Sequence, residues 1–399
     1  MNFMNKYSYI CNRCNSQYSS KEIEDNLLYL CPKCGKAEKQ KPLEGVLLIE
    51  YDYDNIKNNI KREDFLKIEP GKPWLYPQLW PIDFQKFNTQ FLDRLVLPAD
   101  NLLSYKINDR EILVLDETRN PTLSYKDRAS SLVVLKAIEL EISEISTAST
   151  GNAGSSLAGI CARLGLQSHI FVPKNIPEAK RIQIEAYGAD LVVVDGDYDL
   201  AFDTCLEISS KNNWYNRNTA YNPLTIEGKK SSAFDIFLQT QGNLPDTTII
   251  PMGDGVIIAG IYKGFTELFK LGWIENIPQL IGVQSTNSDA IVRFIEQGKF
   301  EYEPANTIAD SISAGAPRNL YMAAEAVTKS GGKGISISDE DILLAQKEFI
   351  RETGIFCEPS SAATYAAFKK LKDDEIVQNK SVLLLITGNG LKDTNALKH

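Results

Sequence analysis

The chain has 399 residues, of which 43% are hydrophobic and 24% charged, the composition of a globular protein of about two to three domains rather than of a disordered or fibrous chain. Asp and Glu outnumber Lys and Arg by 52 to 43, and the net charge of −9 argues against nucleic acid or an anionic membrane as the main partner. The two histidines, His169 and the terminal His399, argue against a Ser-His-Asp triad and against a histidine metal site.

The sequence carries no membrane or export signal. No run approaches the roughly 20 apolar residues that a spanning helix needs, and the N-terminus lacks the apolar core of a signal peptide. We therefore expect a cytosolic protein that binds no membrane.

The chain begins with two Cys-x-x-Cys pairs. Cys11 and Cys14 are followed, after 16 residues, by Cys31 and Cys34. In a reducing compartment this spacing predicts a zinc ribbon, because two such pairs can place four thiolates tetrahedrally around one ion. Two disulfides or free thiols are the alternatives. A zinc site with all four ligands filled has no open position for catalysis, and residues 1–45 carry a charge of only +2, from seven basic and five acidic side chains. We therefore interpret this segment as structural.

The rest of the chain alternates predicted strands and helices. Residues 46–118 form a transition, with strands at 47–49 and 112–115 on either side of a proline-rich stretch at 70–77. The predicted helices are 126–140, 153–164, 178–187, 199–210, 230–240, 256–271, 339–353 and 360–372. The predicted strands between and after them are near 144–148, and at 170–172, 191–194, 248–250, 280–283 and 382–386. Strands that are continuously apolar are buried on both faces, so we expect an α/β fold with parallel sheets covered by helices.

Four of the predicted strands run into polar turns, three of which contain glycine. These turns are residues 120–128, 149–154, 251–255 and 387–393. Ligands of open α/β sheets bind at the carboxyl ends of the strands, where such turns lie. Gly253 and Gly255 would let backbone N–H groups approach an anion at a helix N-terminus, although a tight turn without a ligand has the same pattern. Ile258 stands where a dinucleotide fingerprint has its third glycine.

Together the four turns resemble the motifs of the tryptophan-synthase-β-like pyridoxal-phosphate enzymes, and within that class the threonine synthase family. Residues 120–128 resemble the lysine motif of the family, 149–154 its asparagine loop, 253–255 its phosphate loop and 387–393 its C-terminal motif. Residues 358–362 and the N-terminal cysteine pairs match one branch of the family. The resemblance implies two helix-covered, mostly parallel sheet domains, a small N-terminal zinc ribbon and a homodimer.

The domain boundaries implied by the resemblance divide the chain into four parts. We expect a zinc ribbon at 1–45, an extension and the start of the large domain at 46–118, a smaller α/β domain at 119–230 and the large α/β domain at 231–399.

The resemblance also implies a role for each motif residue. Lys126 would hold pyridoxal 5′-phosphate as a Schiff base and, once displaced by substrate, move protons as a base, which burial would favour by lowering its pKa. Asn152 would hydrogen-bond the 3′-oxygen of the cofactor, and Thr387 would face the pyridine nitrogen. The cofactor phosphate would be bound by Gly253, Asp254, Gly255, Val256 and Ile257. The substrate carboxylate would be bound by Ser149, Thr150, Gly151 and Ala153.

One segment departs from the family pattern. Threonine synthases bind the substrate phosphate with an arginine that follows an Asn-Pro pair, and Thr225 occupies that position here. Threonine offers one neutral donor in place of a bidentate guanidinium, a loss of about 2–4 kcal/mol unless Arg217 or Lys229 substitutes. The alternative is that both cations are solvated surface charges. We assign Thr225 and Lys229 as candidate substrate-binding residues.

The resemblance predicts a lyase that converts O-phosphohomoserine and water to L-threonine and phosphate. Alternatives are β-replacement on an activated serine, as in cysteine or cysteate synthases, and dehydration of serine or threonine. A catalytically silent zinc-ribbon binding protein is a further alternative, against which the intact Lys126 and Asn152 argue.

Overall fold

The computed structural model describes residues 7–107, 109–149 and 151–398. The predicted site residue Thr150 therefore lies outside the described residues. The strands are β1 (Tyr7–Cys11), β2 (Gln17–Ser19), β3 (Leu47–Tyr51), β4 (Leu102–Ile107), β5 (Arg110–Asp116), β6 (Glu144–Ala148), β7 (Gln167–Pro173), β8 (Asp190–Val194), β9 (Tyr215–Asn216), β10 (Thr247–Pro251), β11 (Gln279–Ser285), β12 (Lys333–Ile337) and β13 (Val382–Ile386).

Helices connect and cover these strands. They are α1 (Ser20–Glu24), α2 (Tyr53–Asn59), α3 (Arg62–Phe65), α4 (Thr89–Leu92), α5 (Lys126–Glu139), α6 (Asn152–Leu164), α7 (Glu178–Ala186), α8 (Tyr198–Asn212), α9 (Leu224–Lys229), α10 (Ser231–Gln239), α11 (Val256–Lys270), α12 (Ala290–Gln297), α13 (Leu320–Lys329), α14 (Asp339–Thr353) and α15 (Pro359–Lys370). Within the described ranges, no helix is long and apolar enough to cross a membrane.

Two sheets form the α/β body of the molecule. The larger has six strands in the order β12-β11-β10-β13-β5-β4, all parallel except β4, which runs antiparallel to β5. The smaller has four parallel strands in the order β8-β7-β6-β9. Every residue of β10 and β13 is buried, as expected for central strands covered on both faces. The predicted α/β class with mostly parallel sheets is confirmed.

Helix ends follow local chemistry that the sequence shows. Helix α14 begins after Ser338, whose side chain accepts a hydrogen bond from the backbone N–H of Asp341, and ends at Gly354, which has a φ of +72°. Helix α6 ends at Gly165 with a φ of +80°, a left-handed conformation that glycine adopts readily at helix ends. The helix predicted over 230–240 is confirmed as α10, and the short helix α9 precedes it, with Asn222 accepting from the N–H of Leu224 at 2.9 Å near its start.

The N-terminal segment adds a third, antiparallel sheet in the order β2-β1-β3, and this sheet is tied to helices of the α/β body. The Nζ atom of Lys136 on α5 donates to the hydroxyl of Tyr7 on β1 at 3.0 Å. The hydroxyl of Tyr51 on β3 donates to Glu227 on α9 at 2.5 Å. The N-terminal segment thus contacts α5, whose first residue is Lys126, and α9, whose last residue is Lys229. Both lysines are predicted site residues.

Candidate active site

A cavity of about 730 Å³, partly open to solvent, lies where the carboxyl ends of strands from both large sheets meet. It brings together most of the residues that the sequence singled out. The predicted site residues that line it are Lys126, Ser149, Asn152, Ala153, Lys229, Gly253, Asp254, Gly255, Val256, Ile257 and Thr387.

Lys126 is the first residue of α5, and two hydrogen bonds donated by backbone N–H groups fix the loop before it. The backbone N–H of Thr122 donates to the carboxylate of Asp127 at 2.7 Å, and the N–H of Tyr125 donates to the carbonyl of Thr387 at 2.8 Å. Burial lowers the pKa of Lys126 to about 8, while the negative charge of Glu358 acts in the opposite direction. A usable fraction of the amine is therefore unprotonated near neutral pH.

Asn152 is the first residue of α6 and lies on the opposite wall. Its Nδ2 donates to Oε2 of Glu358 at 2.9 Å and to the hydroxyl of Ser311 at 2.8 Å. Its Oδ1 is buried and has no hydrogen-bond partner. In the preceding turn, the N–H of Gly151 donates to the hydroxyl of Ser149 at 2.9 Å. Polar groups of this turn therefore border the cavity next to Asn152.

The turn between β10 and α11 forms one end of the cavity. Gly255 has a φ of +83°, and a Cβ there would lie 2.6 Å from the Cβ of Ala323, so the turn requires glycine. The first turn of α11 leaves backbone N–H groups without intrahelical partners at the positive end of the helix dipole. The carboxylate of Asp254 accepts from the hydroxyl of Tyr198 and from the N–H of Arg318, both at 3.0 Å, which ties this charge to the protein. The turn can bind a phosphate through its backbone.

Thr387 follows β13 at the other end of the cavity. Its hydroxyl lies 3.2 Å from that of Ser361 at the start of α15, and the same Ser361 hydroxyl accepts from the N–H of Thr387 at 3.0 Å. The cavity thus offers a neutral hydroxyl, and not a carboxylate, at this end.

Two buried cations stand next to Lys126. Arg217 is fully buried; it donates to the hydroxyls of Ser130 and Thr219 at 3.3 and 3.1 Å, and its Nη2 has no partner. Lys229 is 1% exposed, and among the described residues its ammonium has neither an ion pair nor a hydrogen bond. Burial lowers the pKa of Lys229 well below 10.5, and the positive charges of Lys126 and Arg217 lower it further. The alternative of solvated surface charges is excluded by their burial.

The hydroxyl of Thr225 makes its hydrogen bonds within its own segment, at the start of α9. Its hydroxyl donates to the carbonyl of Asn222 at 2.7 Å and accepts from the N–H of Ala220 at 3.1 Å. The residue is fully buried and is not part of the described cavity lining, unlike Lys229 one helical turn later. The two candidate substrate-binding residues of this segment are therefore separated by the structure.

Sequence reasoning missed several residues of the cavity. Tyr198, Thr219, Ser311 and Ser313 line it, and Ser311 and Ser313 come from an irregular stretch with no motif. Glu358 belongs to residues 358–362, which resemble one branch of the family, and that resemblance gave no reason to expect the contact with Asn152. These contacts arise from tertiary packing between segments distant in the chain.

The four N-terminal cysteines come together away from these residues in sequence. Their sulfur atoms all lie within 4.8 Å of one another, with Cys11 and Cys34 3.4 Å apart and Cys14 and Cys31 3.7 Å apart. Four thiolates at such separations suit one tetrahedral ion.

The cavity fits the cofactor that the sequence implies. A lysine of lowered pKa suits attachment of an aldehyde, and the glycine turn at the start of α11 suits its phosphate. The partnerless Oδ1 of Asn152, which lines the cavity, is a group that a bound polar molecule would satisfy. The residues present therefore suit pyridoxal phosphate.

Comparison with known proteins agrees with this fit. Residues 96–388 match the family described as pyridoxal-phosphate dependent enzymes. The threonine synthase of Methanocaldococcus jannaschii is 34% identical over 392 residues, which cover 97% of this chain and 93% of that protein. The threonine synthase of Methanosarcina acetivorans is 33% identical, with 97% and 92% covered.

Solved structures share the fold. Diaminopropionate ammonia lyase from Escherichia coli superposes with a TM-score of 0.65 at 18% identity, covering 77% of this chain and 89% of that one. Maize serine racemase gives a TM-score of 0.65 at 20% identity, covering 74% and 89%. The chain belongs to the pyridoxal-phosphate-dependent enzymes and, among them, to the threonine synthase family of lyases.

Proposed function

We propose that the protein is a threonine synthase that converts O-phosphohomoserine and water to L-threonine and phosphate. The relatives with that name support the reaction class, since the chain spans nearly their full length. The observation that supports O-phosphohomoserine as the substrate is the pair of cations Arg217 and Lys229. Two buried cations without a carboxylate partner, beside the reactive lysine, suit a substrate that carries a second phosphate.

The energetics of this pair favour an anion-binding role. A buried charge left without a counter-ion costs several kcal/mol, so two such groups are a burden on the fold unless a ligand compensates them. The pKa of Arg217 is lowered by burial to about 10, so its guanidinium stays charged at neutral pH. Arg217 then supplies a charge at neutral pH, and an approaching phosphate favours the protonated form of Lys229.

This arrangement replaces the missing arginine at position 225. Lys229 lies one helical turn after position 225 on α9 and lines the cavity, so it can place a cation there although Thr225 lies outside the lining. The hydroxyl of Thr219, which Arg217 contacts, lines the same cavity and adds a neutral donor.

The remaining side chains have separate tasks. When bound, pyridoxal phosphate supplies an electron-withdrawing ring that stabilises negative charge at the α-carbon of the substrate. Lys126 moves protons at the substrate carbons, for which its lowered pKa suits it. Ser149, Gly151 and Ala153 bind the substrate carboxylate through the turn before α6, and Asn152 binds the 3′-oxygen of the cofactor. Thr387 gives a neutral donor near the ring nitrogen, which favours elimination and addition over transamination.

The net reaction changes bonds at Cγ and Cβ of the substrate. The bond between Cγ and the phosphate oxygen breaks and phosphate leaves with the electron pair. Cβ loses one proton and Cγ gains one, the hydroxyl of water adds at Cβ, and the proton of water ends on the released phosphate. Arg217 and Lys229 assist by binding the charge on the departing phosphate, as preorganised cations do in phosphate chemistry generally.

We also infer that Cys11, Cys14, Cys31 and Cys34 bind one structural zinc ion. The spacing of the sulfur atoms supports this, and a ribbon of about 45 residues needs the folding energy that a metal supplies. The domain division at residues 45, 118 and 230 is likewise our proposal, supported by the four-stranded sheet falling wholly within 144–216.

A comparison of three substrates tests the proposed reaction. Purified enzyme should have its highest kcat/KM with O-phosphohomoserine, above O-phosphoserine with a sulfur nucleophile and above threonine. In Arg217→Ala and Lys229→Met, the KM for O-phosphohomoserine should rise at least tenfold, about 1.4 kcal/mol. A preference for O-phosphoserine would instead establish the β-replacement reaction. Unchanged kinetics in both variants would contradict the proposed phosphate site.

A further inference from the structure

Glu358 has a buried carboxylate that hydrogen-bonds Asn152 of the candidate cofactor site. It stands just before α15 and is 2% exposed. Its Oε1 and Oε2 accept from Nδ2 of Asn152 at 3.1 and 2.9 Å. Its backbone N–H donates to the carbonyl of Gly388 at 3.0 Å. One residue thus joins the start of α6 to the turn after β13.

The turn after β13 is shaped around this carboxylate. A Cβ at position 388 would lie 2.5 Å from Oε1 of Glu358, so only glycine leaves room for the side chain. On the other side of the turn, the hydroxyl of Ser361 accepts from the N–H groups of Thr387 and Gly388 at 3.0 and 2.9 Å. The start of α15 therefore fixes Thr387 through the backbone and Asn152 through the carboxylate.

The carboxylate determines which atom of Asn152 faces it. An ionised carboxylate only accepts hydrogen bonds, so the amide must present Nδ2 and not Oδ1 to Glu358. The amide nitrogen has two hydrogens. Glu358 accepts one, and the other remains available on the cavity side, where Ser311 now accepts it at 2.8 Å. Without Glu358 either orientation of the amide would be open.

The charge of Glu358 also balances the lysines around the site. Its negative charge favours the protonated forms of Lys126 on α5, Lys180 on α7 and Lys392 after β13. The same charge raises the pKa of the nearby Asp393. Burial lowers the pKa of Lys126 to about 8, and Glu358 is the largest influence in the opposite direction. The other charged groups that act on Lys126 are Arg217, Asp254, Lys180 and Lys229.

We propose that Glu358 is a positioning residue of the cofactor site, which orients the amide of Asn152 and supplies the negative charge that offsets the cations around Lys126. It acts through these two residues and needs no contact with the substrate. The inference concerns the cofactor site only, so it holds whichever amino acid the enzyme uses, and its failure is separable from failure of the proposed reaction.

The test uses full-length apoenzyme and pyridoxal phosphate. Attachment of the cofactor requires a neutral Lys126 amine, so its rate rises with pH through the pKa of that amine. In Glu358→Gln, the midpoint of this rise should move to lower pH by about one unit, because a negative charge near the ammonium is lost. The equilibrium dissociation constant of the cofactor, followed by its visible absorbance, should rise about tenfold as Asn152 loses its fixed orientation.

A second variant separates the two roles. Glu358→Asp keeps the charge but is shorter, so the pH midpoint should stay at the wild-type value while the dissociation constant rises. Glu352→Gln makes the same change at an exposed position of α14 and should alter neither quantity. Thermal unfolding of each apoenzyme checks folding. If Glu358→Gln does not fold, the aspartate variant decides alone, and wild-type affinity in it would overturn the positioning role. If Glu358→Gln folds and matches the Glu352→Gln control in both measurements, or shifts the midpoint to higher pH, the proposal is wrong.

Discussion

The Nζ atom of Lys180 lies 2.6 Å from Oδ2 of Asp310, next to Ser311, which lines the cavity. Lys180 belongs to α7, which packs beside the four-stranded sheet, whereas Asp310 begins a short 3₁₀ turn that contacts α15 beside the six-stranded sheet. The lysine side chain is 1% exposed and the aspartate side chain 25%. The pair therefore connects the two halves of the molecule at the edge of the site.

Breaking this pair should loosen the two halves. Asp310→Asn leaves a buried ammonium without its closest counter-ion, and we expect the free energy of unfolding to fall by about 1–3 kcal/mol. The KM for substrate should rise because the walls of the cavity are held together less firmly. Denaturant unfolding and steady-state kinetics measure the two effects. Asp195→Asn removes a comparable but exposed pair with Lys174 and should change neither. Wild-type stability and KM in Asp310→Asn would contradict this role.

Lys229 should cost stability and serve binding. Because burial lowers its pKa well below 10.5, the folded chain binds the Lys229 proton less tightly than the unfolded chain does. In Lys229→Met, the free energy of unfolding at neutral pH should therefore rise by about 1–3 kcal/mol, with the gain shrinking as pH increases towards 10.5. The same variant should bind phosphorylated substrate less tightly.

Unfolding measured across pH in apoprotein tests this sign. Lys174→Met, at an exposed position, is the matched control and should show no pH-dependent gain. A Lys229→Met protein that is less stable than wild type at neutral pH would show that the lysine has a structural partner and would refute its role as an uncompensated cation.

Position 225 should not accept the arginine of the relatives. Thr225 is fully buried and its hydroxyl makes two hydrogen bonds inside its loop. Thr225→Arg removes both bonds and inserts a larger side chain, so we expect a loss of about 2–4 kcal/mol in stability and no gain with O-phosphohomoserine. Thr225→Ser keeps the hydroxyl and should remain close to wild type. A stable arginine variant with a lower KM would place position 225 in the cavity after all.

The sequence revealed the site better than it revealed the charges around it. The turns that carry Lys126, Asn152, Gly253 and Thr387 were readable because their glycines, hydroxyls and amides are local features of strand ends. The burial of Arg217 was not, because it depends on packing against distant segments, such as the contact with Ser130 on α5.

The same reason explains the elements that were missed. Helices α12 and α13 begin directly after Asp289 and Asn319. Neither side chain makes a capping hydrogen bond, so these two helices start without the capping interaction that the sequence rules rely on. Strand β12 lies at the edge of its sheet and most of it is half-buried, so it lacks the continuous apolar run of the central strands.

Metal removal should affect the N-terminal segment first. In Cys14→Ser we expect zinc content to fall and the temperature of unfolding to drop, because four thiolates are needed to complete the site. The affinity for pyridoxal phosphate should change little. Metal analysis by mass spectrometry and thermal unfolding measure this, with Cys161→Ala, a buried cysteine outside the cluster, as the control. Two disulfides and no zinc in freshly purified protein would contradict the zinc site.

The central claim is that Lys126 carries the cofactor, and the cavity contains a competitor for that role. Lys229 also lines the cavity, and burial lowers its pKa as it lowers that of Lys126. Borohydride reduction of the enzyme with its cofactor, followed by peptide mapping, distinguishes the two. We expect the label on Lys126 alone, at the start of α5. A label on Lys229, or on any other lysine, would contradict the assignment of the site.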